Sequence, residues 1–323
     1  MTTPGKVGLV GSGLVGKSWA MIFASVGYEV WMYDIKQEQL DKAVSDIGLE
    51  VEKFEKEGTL RGTLPAHQQK TLIHVTTDLK ECITGAVYIQ ESVPEDLELK
   101  KKIWTEIDGL VDSAKMILAS STSCIVPSLI SKDLRHREQF IVAHPVNPPY
   151  HAPMTELVPA PWTNEFTQTE ARTLMTRVGQ VPVSLSRELP GFVLNRMQYA
   201  LLNECWRLLA NKVVSVDDLD VVMRDGLGLR YAFMGPMETI HLNAPNGAAQ
   251  YCQTYGNTIY KVSQDLGPVP EAWKMETDEH KKEVEEITKQ LETLYPPKDL
   301  DERKLRRDTC LAALAKLKRG LPK

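Results

Sequence analysis

The sequence predicts an α/β protein: a doubly wound, mainly parallel sheet followed by a smaller, all-α C-terminal domain. Short segments rich in Val, Ile and aromatic residues alternate with helical stretches in the first half of the chain, an order that favours a parallel sheet covered by helices. These predicted strands are residues 6–10, 28–34, 86–92, 116–122 and 140–146. Helical patterns dominate after ELPGFVLNR. We therefore expect a sheet domain over residues 1–189 and a helical domain over residues 190–323.

Two further regions carry helical patterns. Residues 36–72 are long and charged, with apolar residues at helical spacing, which predicts an inserted helix or helix pair. Residues 191–212 have apolar side chains on most faces, which suits a long helix buried between domains or subunits. This helix and the helical second domain favour a homodimer.

The composition excludes several classes of protein. With 42% hydrophobic and 25% charged residues, the 323-residue chain is neither disordered nor fibrous, and its net charge of −5 does not favour nucleic-acid binding. No run approaches the ~20 apolar residues of a membrane span, and the first residues enter a strand pattern, so we expect a cytoplasmic protein. Scattered cysteines and histidines without metal-binding spacing predict neither disulfides nor a metal site.

A glycine-rich turn follows the first predicted strand. Gly11, Gly13 and Gly16 stand between that strand and a helical stretch, in the order typical of a dinucleotide site. Asp34 closes the second strand, where an acidic side chain binds the adenosine ribose hydroxyls. Its carboxylate would repel a 2′-phosphate, so NAD is favoured over NADP. Two alternatives stay open: Asp34 is only a turn residue at the end of the strand, or Lys36 weakens the discrimination against NADP.

Polar clusters end three other strands. They are residues 91–100, 120–123 and 144–147. In open parallel sheets ligands lie beyond the carboxyl ends of the strands. We therefore expect these three segments to converge on the reactive end of the cofactor.

Several motifs together resemble the 3-hydroxyacyl-CoA dehydrogenase superfamily: the glycine turn, ESVPEDLELK, SSTS, HPVNPP, ELV and PGFVLNR. The resemblance covers the chain up to about residue 247. It implies a Rossmann-like NAD-binding domain and NAD-dependent oxidation of a secondary alcohol. SSTSC, AHPVNPPY, GLGLRYAF and GPMETIHLN resemble the branch of the superfamily that oxidises L-gulonate to 3-dehydro-L-gulonate.

The resemblance also implies a catalytic set. His144 corresponds to the proton acceptor and Glu156 to the carboxylate that orients it, roles that suit an imidazole titrating near neutral pH. Ser123 and Asn195 correspond to residues that bond the reacting oxygen or position nicotinamide and substrate. Taken singly, Glu156 also fits an exposed strand, Ser123 a helix N-cap and Asn195 a polar helix position.

The cofactor contacts that the resemblance implies extend beyond the glycines and Asp34. They are the backbone amides of Leu14 and Val15, together with Glu95, Lys100, Ser123 and Asn147.

Arg230 bears on the substrate, a small hydroxy acid. The hydroxyacyl-CoA enzymes generally lack an arginine there, and a guanidinium can bind a free carboxylate through two hydrogen bonds. In the segment where acyl-CoA enzymes use basic residues, the basic residues here alternate with glutamates, which favours a solvated helix. Three alternatives to L-gulonate oxidation stay open: 3-hydroxyacyl-CoA dehydrogenation, L-carnitine dehydrogenation, and a crystallin-type structural role with incidental activity.

Overall fold

The computed structural model describes residues 4–321, and within them the strands form one eight-stranded sheet of order β3-β2-β1-β4-β5-β6-β7-β8. The strands are β1 (Lys6–Val10), β2 (Glu29–Tyr33), β3 (Ile73–Thr76), β4 (Ala86–Glu91), β5 (Ile117–Ser120), β6 (Phe140–Pro145), β7 (Met154–Pro159) and β8 (Val181–Ser184). The helices of the sheet region are α1 (Leu14–Ala24), α2 (Gln37–Lys56), α3 (Ala66–Thr71), α4 (Leu79–Ile83), α5 (Leu97–Leu110), α6 (Pro127–Ser131) and α7 (Glu165–Arg177).

The remaining helices follow the sheet. They are α8 (Leu194–Ala210), α9 (Val216–Val221), α10 (Gly228–Tyr231), α11 (Pro236–Leu242), α12 (Ala248–Asp265), α13 (Asp278–Leu294) and α14 (Leu300–Gly320). None of the helices described in residues 4–321 is both long and apolar enough to cross a membrane.

The strand order reverses beside β1. From β1 the chain adds β2 and β3 on one side, then returns to place β4 on the other. Neighbouring strands run parallel except β6 and β7, which are antiparallel. The gap between β1 and β4 is therefore the topological switch point, where ligands bind in open α/β sheets.

Both faces of the sheet are packed. On one face Trp19 and Phe23 of α1 join a cluster that includes Tyr88 of β4. On the other face Trp104 of α5 meets Phe140 of β6 edge-on, with ring centroids 4.8 Å apart. Close-packed layers on both faces hold the carboxyl ends of the strands in fixed positions.

The predicted fold class is confirmed. The five predicted strand segments correspond to β1, β2, β4, β5 and β6, and the charged insertion folds into α2 and α3. The sequence did not delimit β3, β7 and β8. Two of them have only four residues, and β8 is largely exposed, so neither carries a buried apolar run that a pattern can detect.

Residue contacts divide the chain into two compact units. The first runs to Arg196 and also includes the chain from Asp308 onwards, whereas the second is Met197–Arg307. The expected boundary between residues 189 and 190 stays a prediction; the contacts assign residues 190–196 to the sheet unit. Inside the second unit Trp206 packs on Trp273, with centroids 4.4 Å apart.

Candidate active site

The glycine turn lies at the switch point. Gly11 has φ +105°, and a Cβ there would lie 2.9 Å from the carbonyl oxygen of Ser92. A Cβ on Gly16 would lie 2.0 Å from the carbonyl oxygen of Gly11, so the helix could not pack against the turn. A Cβ on Gly13 would meet nothing within 4 Å. The first and third glycines are thus required for packing, while the second leaves open space where a ligand can approach the backbone.

Helix α1 begins directly at this open space. Gly13 is its N-cap residue, no side chain caps it, and no acidic residue lies in its first turn. The first backbone N–H groups, including those of Leu14 and Val15, are therefore available to an anion at the positive end of the helix dipole. This arrangement fits the pyrophosphate of a dinucleotide.

Asp34 is held beside the turn. Its Oδ2 accepts hydrogen bonds from the N–H of Ser12 at 3.0 Å and from Ser12 Oγ at 2.7 Å. Ser12 lies between two motif glycines, at a position where the glycine pattern accepts any residue, so the pattern does not indicate a role for it. Its two bonds hold the carboxylate in place beside the glycine turn.

Residues 120–124, here called the serine turn, begin at the last residue of β5 and are held by Glu95. Oε1 of Glu95 accepts from Thr122 Oγ1 at 2.6 Å, from Ser123 N–H at 2.9 Å and from Ser123 Oγ at 3.1 Å. The N–H of Cys124 also donates to this oxygen at 3.2 Å. Burial raises the pKa of Glu95, but the hydrogen bonds and nearby Lys100 together lower it by a larger amount, so the net shift is downward. Glu95 therefore stays ionised at neutral pH.

His144 and Glu156 form a pair across β6 and β7. The two residues are direct partners in the antiparallel ladder, and His144 Nδ1 lies 2.8 Å from Glu156 Oε2. Both side chains are buried, with His144 6% and Glu156 1% exposed. Because Nδ1 faces the carboxylate, Nε2 is the ring nitrogen that can accept a proton from a substrate.

The second oxygen of Glu156 is fixed by the start of α8. Oε1 accepts from the N–H of Val193 at 2.8 Å and the N–H of Leu194 at 2.9 Å. Burial raises the pKa of Glu156, whereas the hydrogen bonds from His144, Leu194 and Val193 lower it, and the net shift is downward. An anionic Glu156 stabilises a positively charged imidazole beside it.

Asn195 links α8 to the serine turn. Its Nδ2 donates to the carbonyl oxygen of Ser123 at 2.8 Å and to Cys124 Sγ at 3.3 Å. Through Glu156 and Asn195, the beginning of α8 binds both the histidine strand and the serine turn. Sequence segments far apart in the chain thus meet in one site.

Two other expected site residues are exposed on the surface. Asn147 lies exposed in the loop after β6, and Arg230 lies exposed on α10 in the second unit. Among residues 4–321, no three His, Cys, Asp or Glu side chains are grouped so as to hold a metal ion.

Fold and site together define an NAD-binding dehydrogenase, and the chain belongs to the 3-hydroxyacyl-CoA dehydrogenase family. The NAD-binding domain of that family matches residues 6–189, and its C-terminal domain matches residues 191–282. The expected superfamily and the NAD cofactor are thereby confirmed.

Two relatives and one solved structure are similar to most of the chain. The chain is 46% identical over 316 residues to a lambda-crystallin homolog of Homo sapiens, covering 97% of this chain and 96% of that protein. It is 31% identical to an L-carnitine dehydrogenase of Oceanobacillus iheyensis, covering 86% of this chain and 88% of that protein. The solved structure of 5-formyl-3-hydroxy-2-methylpyridine 4-carboxylic acid 5-dehydrogenase has a TM-score of 0.81 at 24% identity, covering 98% and 99% of the two chains, and shares the fold.

Proposed function

We propose that this protein oxidises the C3 hydroxyl of a small free hydroxy acid, L-gulonate, to 3-dehydro-L-gulonate. The observation that carries the proposal is the buried His144–Glu156 pair, whose Nδ1 and Oε2 lie 2.8 Å apart. The pair lies within the part of the chain that matches the NAD-binding domain of the family. NAD, held by the glycine turn and the start of α1, would supply the hydride acceptor for this oxidation. The protein supplies the base, the alignment and the binding of the acid.

In this mechanism His144 Nε2 takes the hydroxyl proton. Glu156 keeps the imidazole in the orientation that exposes Nε2 and then stabilises the imidazolium through the bond to Nδ1. Ser123 and Asn195 hold the reacting carbon and its oxygen in line with the base. The carboxylate does not take the proton itself, because its lowered pKa keeps it ionised.

Ion pairs in the α2 to α3 region support a free acid over an acyl-CoA. A CoA ester carries phosphates that require available cations. Lys53 lies 3.9 Å from Glu57, Lys70 lies 2.5 Å from Glu52, and the buried Arg61 donates to backbone carbonyl oxygens. These three cations have partners within the protein, whereas Lys36, Lys42 and Lys56 of the same region are exposed, so the ion pairs reduce the number of cations available to a CoA phosphate.

Arg230 is the proposed anchor for the carboxylate of the acid. Its side chain lies on α10 and is exposed, so its guanidinium is open to an anionic ligand. Two parallel hydrogen bonds from a guanidinium to a carboxylate fix both distance and orientation.

L-carnitine is the second candidate substrate, favoured by the relative of that activity. A trimethylammonium group would require an aromatic or acidic enclosure. Trp206 packs on Trp273 and donates to Glu283 through Nε1. Tyr231 and Phe233 are exposed in the same unit, so aromatic and acidic groups are present for this alternative. The similarity to lambda-crystallin homologs keeps a structural role compatible with the enzymatic one.

Self-association is part of the proposal. The second unit exposes large apolar side chains, among them Met197 (57%), Leu229 (61%), Met237 (71%) and Val262 (56%). Exposed apolar side chains that form a contiguous patch mark an interface, and we infer such a patch in this unit. We propose a cytoplasmic homodimer, and light scattering after size-exclusion chromatography should give twice the chain mass at micromolar concentration; a monomer would contradict it.

A substrate panel tests the function. Initial rates with NAD are compared for L-gulonate, 3-hydroxybutyrate, L-carnitine and 3-hydroxybutyryl-CoA. The highest kcat/KM is expected for L-gulonate. A preference for the CoA ester would reject the free-acid proposal, and a preference for L-carnitine would replace the anionic substrate with a zwitterionic one.

A further inference from the structure

Glu91, at the carboxyl end of β4, is a buried carboxylate that the mechanism above does not use. Its side chain is 0% exposed. Oε1 accepts from Lys100 Nζ and the N–H of Val93, both at 2.8 Å, and Oε2 accepts from Ser120 Oγ at 2.6 Å and Trp104 Nε1 at 3.1 Å. Burying a charge costs folding free energy unless every polar atom is compensated. Here four donors from three segments compensate it.

Lys100 connects this carboxylate to a second one. The ammonium group, 1% exposed, lies 2.8 Å from Glu91 Oε1 and 3.5 Å from Glu95 Oε2. One buried cation therefore spans two carboxylates. Glu91 fixes the position of the ammonium group, and the ammonium group in turn attracts the carboxylate of Glu95.

The two carboxylates hold opposite ends of the serine turn. Glu91 binds its first residue through Ser120 Oγ, which also accepts the N–H of Thr122 at 3.2 Å. Glu95 binds the other end through Thr122 and through the N–H and hydroxyl of Ser123. The position of the Ser123 hydroxyl thus depends on both carboxylates.

We propose that Glu91 is a positioning residue for catalysis: together with Lys100 it aligns Glu95 and the serine turn, and so places the Ser123 hydroxyl for the reaction. This inference rests on the proposed function, in which Ser123 aligns the substrate. Glu91 does not contact the substrate, because its side chain is fully buried and its four bonds go to the protein itself. It reaches Ser123 only through Lys100 and Ser120.

The test is a double-mutant cycle of Glu91→Gln with Ser123→Ala, read as kcat. In the wild-type background E91Q should lower kcat by about tenfold to a hundredfold, the loss expected when a reacting group is misplaced. In the S123A background it should lower kcat by less than about twofold, because its target is already absent. An equal loss in both backgrounds would show that Glu91 does not act through Ser123 and would overturn the inference.

A milder variant provides a second test if E91Q does not fold. Ser120→Ala removes one bond to Glu91 and the acceptor of the Thr122 N–H. It should also reduce kcat, again only when Ser123 is present. Asp108→Asn is the matched control, because Asp108 is a buried carboxylate that also accepts several bonds, from Arg135 and His136. It should lower Tm and leave kcat unchanged; a fall of kcat with D108N as large as with E91Q would count against the inference.

The same experiment separates this inference from the proposed function. If Ser123→Ala alone leaves kcat unchanged, the role of Ser123 in the proposed function is wrong. If S123A lowers kcat and E91Q lowers it equally in both backgrounds, only the role of Glu91 is wrong.

Discussion

His144 Nδ1 and Glu156 Oε2 lie 2.8 Å apart because the two residues are opposite each other in the β6–β7 ladder. The backbone hydrogen bonds of the sheet place the two residues opposite each other, so their side chains are adjacent in the folded protein. The start of α8 then holds the second carboxylate oxygen. The base of the proposed reaction is therefore oriented before any substrate arrives.

Replacing the proposed base should abolish most turnover. His144→Gln removes the proton acceptor, so kcat should fall by the ~10² to 10⁴ typical of general-base loss, while the Kd for NADH, measured by fluorescence titration, stays nearly unchanged. His136→Gln is a matched control, since His136 Nδ1 makes a similar 2.9 Å contact with Asp108. Normal turnover in H144Q would remove His144 from the mechanism.

Glu156 should make stability depend on pH. Its pKa in the folded protein lies below the ordinary 4.5, so the ionised form stabilises the fold above that pH. This contribution is lost as the pH falls through the lowered pKa. Glu156→Gln should therefore reduce the free energy of unfolding by about 2 to 3 kcal/mol at neutral pH.

Urea denaturation of both proteins between about pH 7 and about pH 3 checks this expectation. The gap between wild type and E156Q should narrow toward acid pH. A constant gap over the whole range would mean that the charge of Glu156 does not provide the stabilisation.

Asp34 should set cofactor preference. Asp34→Ala removes a carboxylate that Ser12 holds in place, so the Kd for NADH should rise by about tenfold to a hundredfold, the worth of charge-assisted hydrogen bonds. NADPH should lose less, because the repulsion of its 2′-phosphate also disappears. Fluorescence titration measures both constants, with Asp41→Asn on the exposed face of α2 as control. An unchanged ratio of the two constants would contradict the assigned role.

Arg230 should act on substrate binding. Arg230→Ala removes the proposed carboxylate anchor and should raise KM for the acid by about tenfold or more, with a smaller effect on kcat. Arg224→Ala is the control, because Arg224 lies nearby in the chain and is paired with Asp225 at 2.9 Å. Equal KM values in R230A and wild type would exclude the anchor.

Much of the fold was predictable because several of its strands and the glycine turn are marked by residue patterns that are local in the sequence. The buried strands have continuous apolar runs, and the glycine turn stands between a strand and a helix, so β1, β2, β4, β5 and β6 could be recognised. Strands β3 and β8 could not be delimited, because strands of four residues with little burial lack such runs. Strand β7 is buried, but the polar Thr155 and Glu156 interrupt its apolar run. The antiparallel direction of β7 also depends on its neighbour in the sheet, which no local pattern encodes.

The candidate site divides in the same way. His144, Glu156, Ser123 and Asn195 were indicated by motif resemblance, which names residues without giving their distances. The roles of Ser12 and Glu91 were not indicated, because each acts through partners distant in sequence. Ser12 bonds Asp34 from the glycine turn, and Glu91 joins β4, α5 and the serine turn.

The sequence by itself determined the class of fold and the dinucleotide turn, since these follow from residue type and local spacing. The proposed reacting side chains were indicated by the motif resemblance. The tertiary structure alone decided which atoms meet: Nδ1 of His144 with Glu156, the hydroxyl of Ser123 with Glu95, and Lys100 between Glu91 and Glu95. Such contacts depend on strand register and on packing between elements far apart in the chain. Buried charges can be compensated only where that packing brings their partners together.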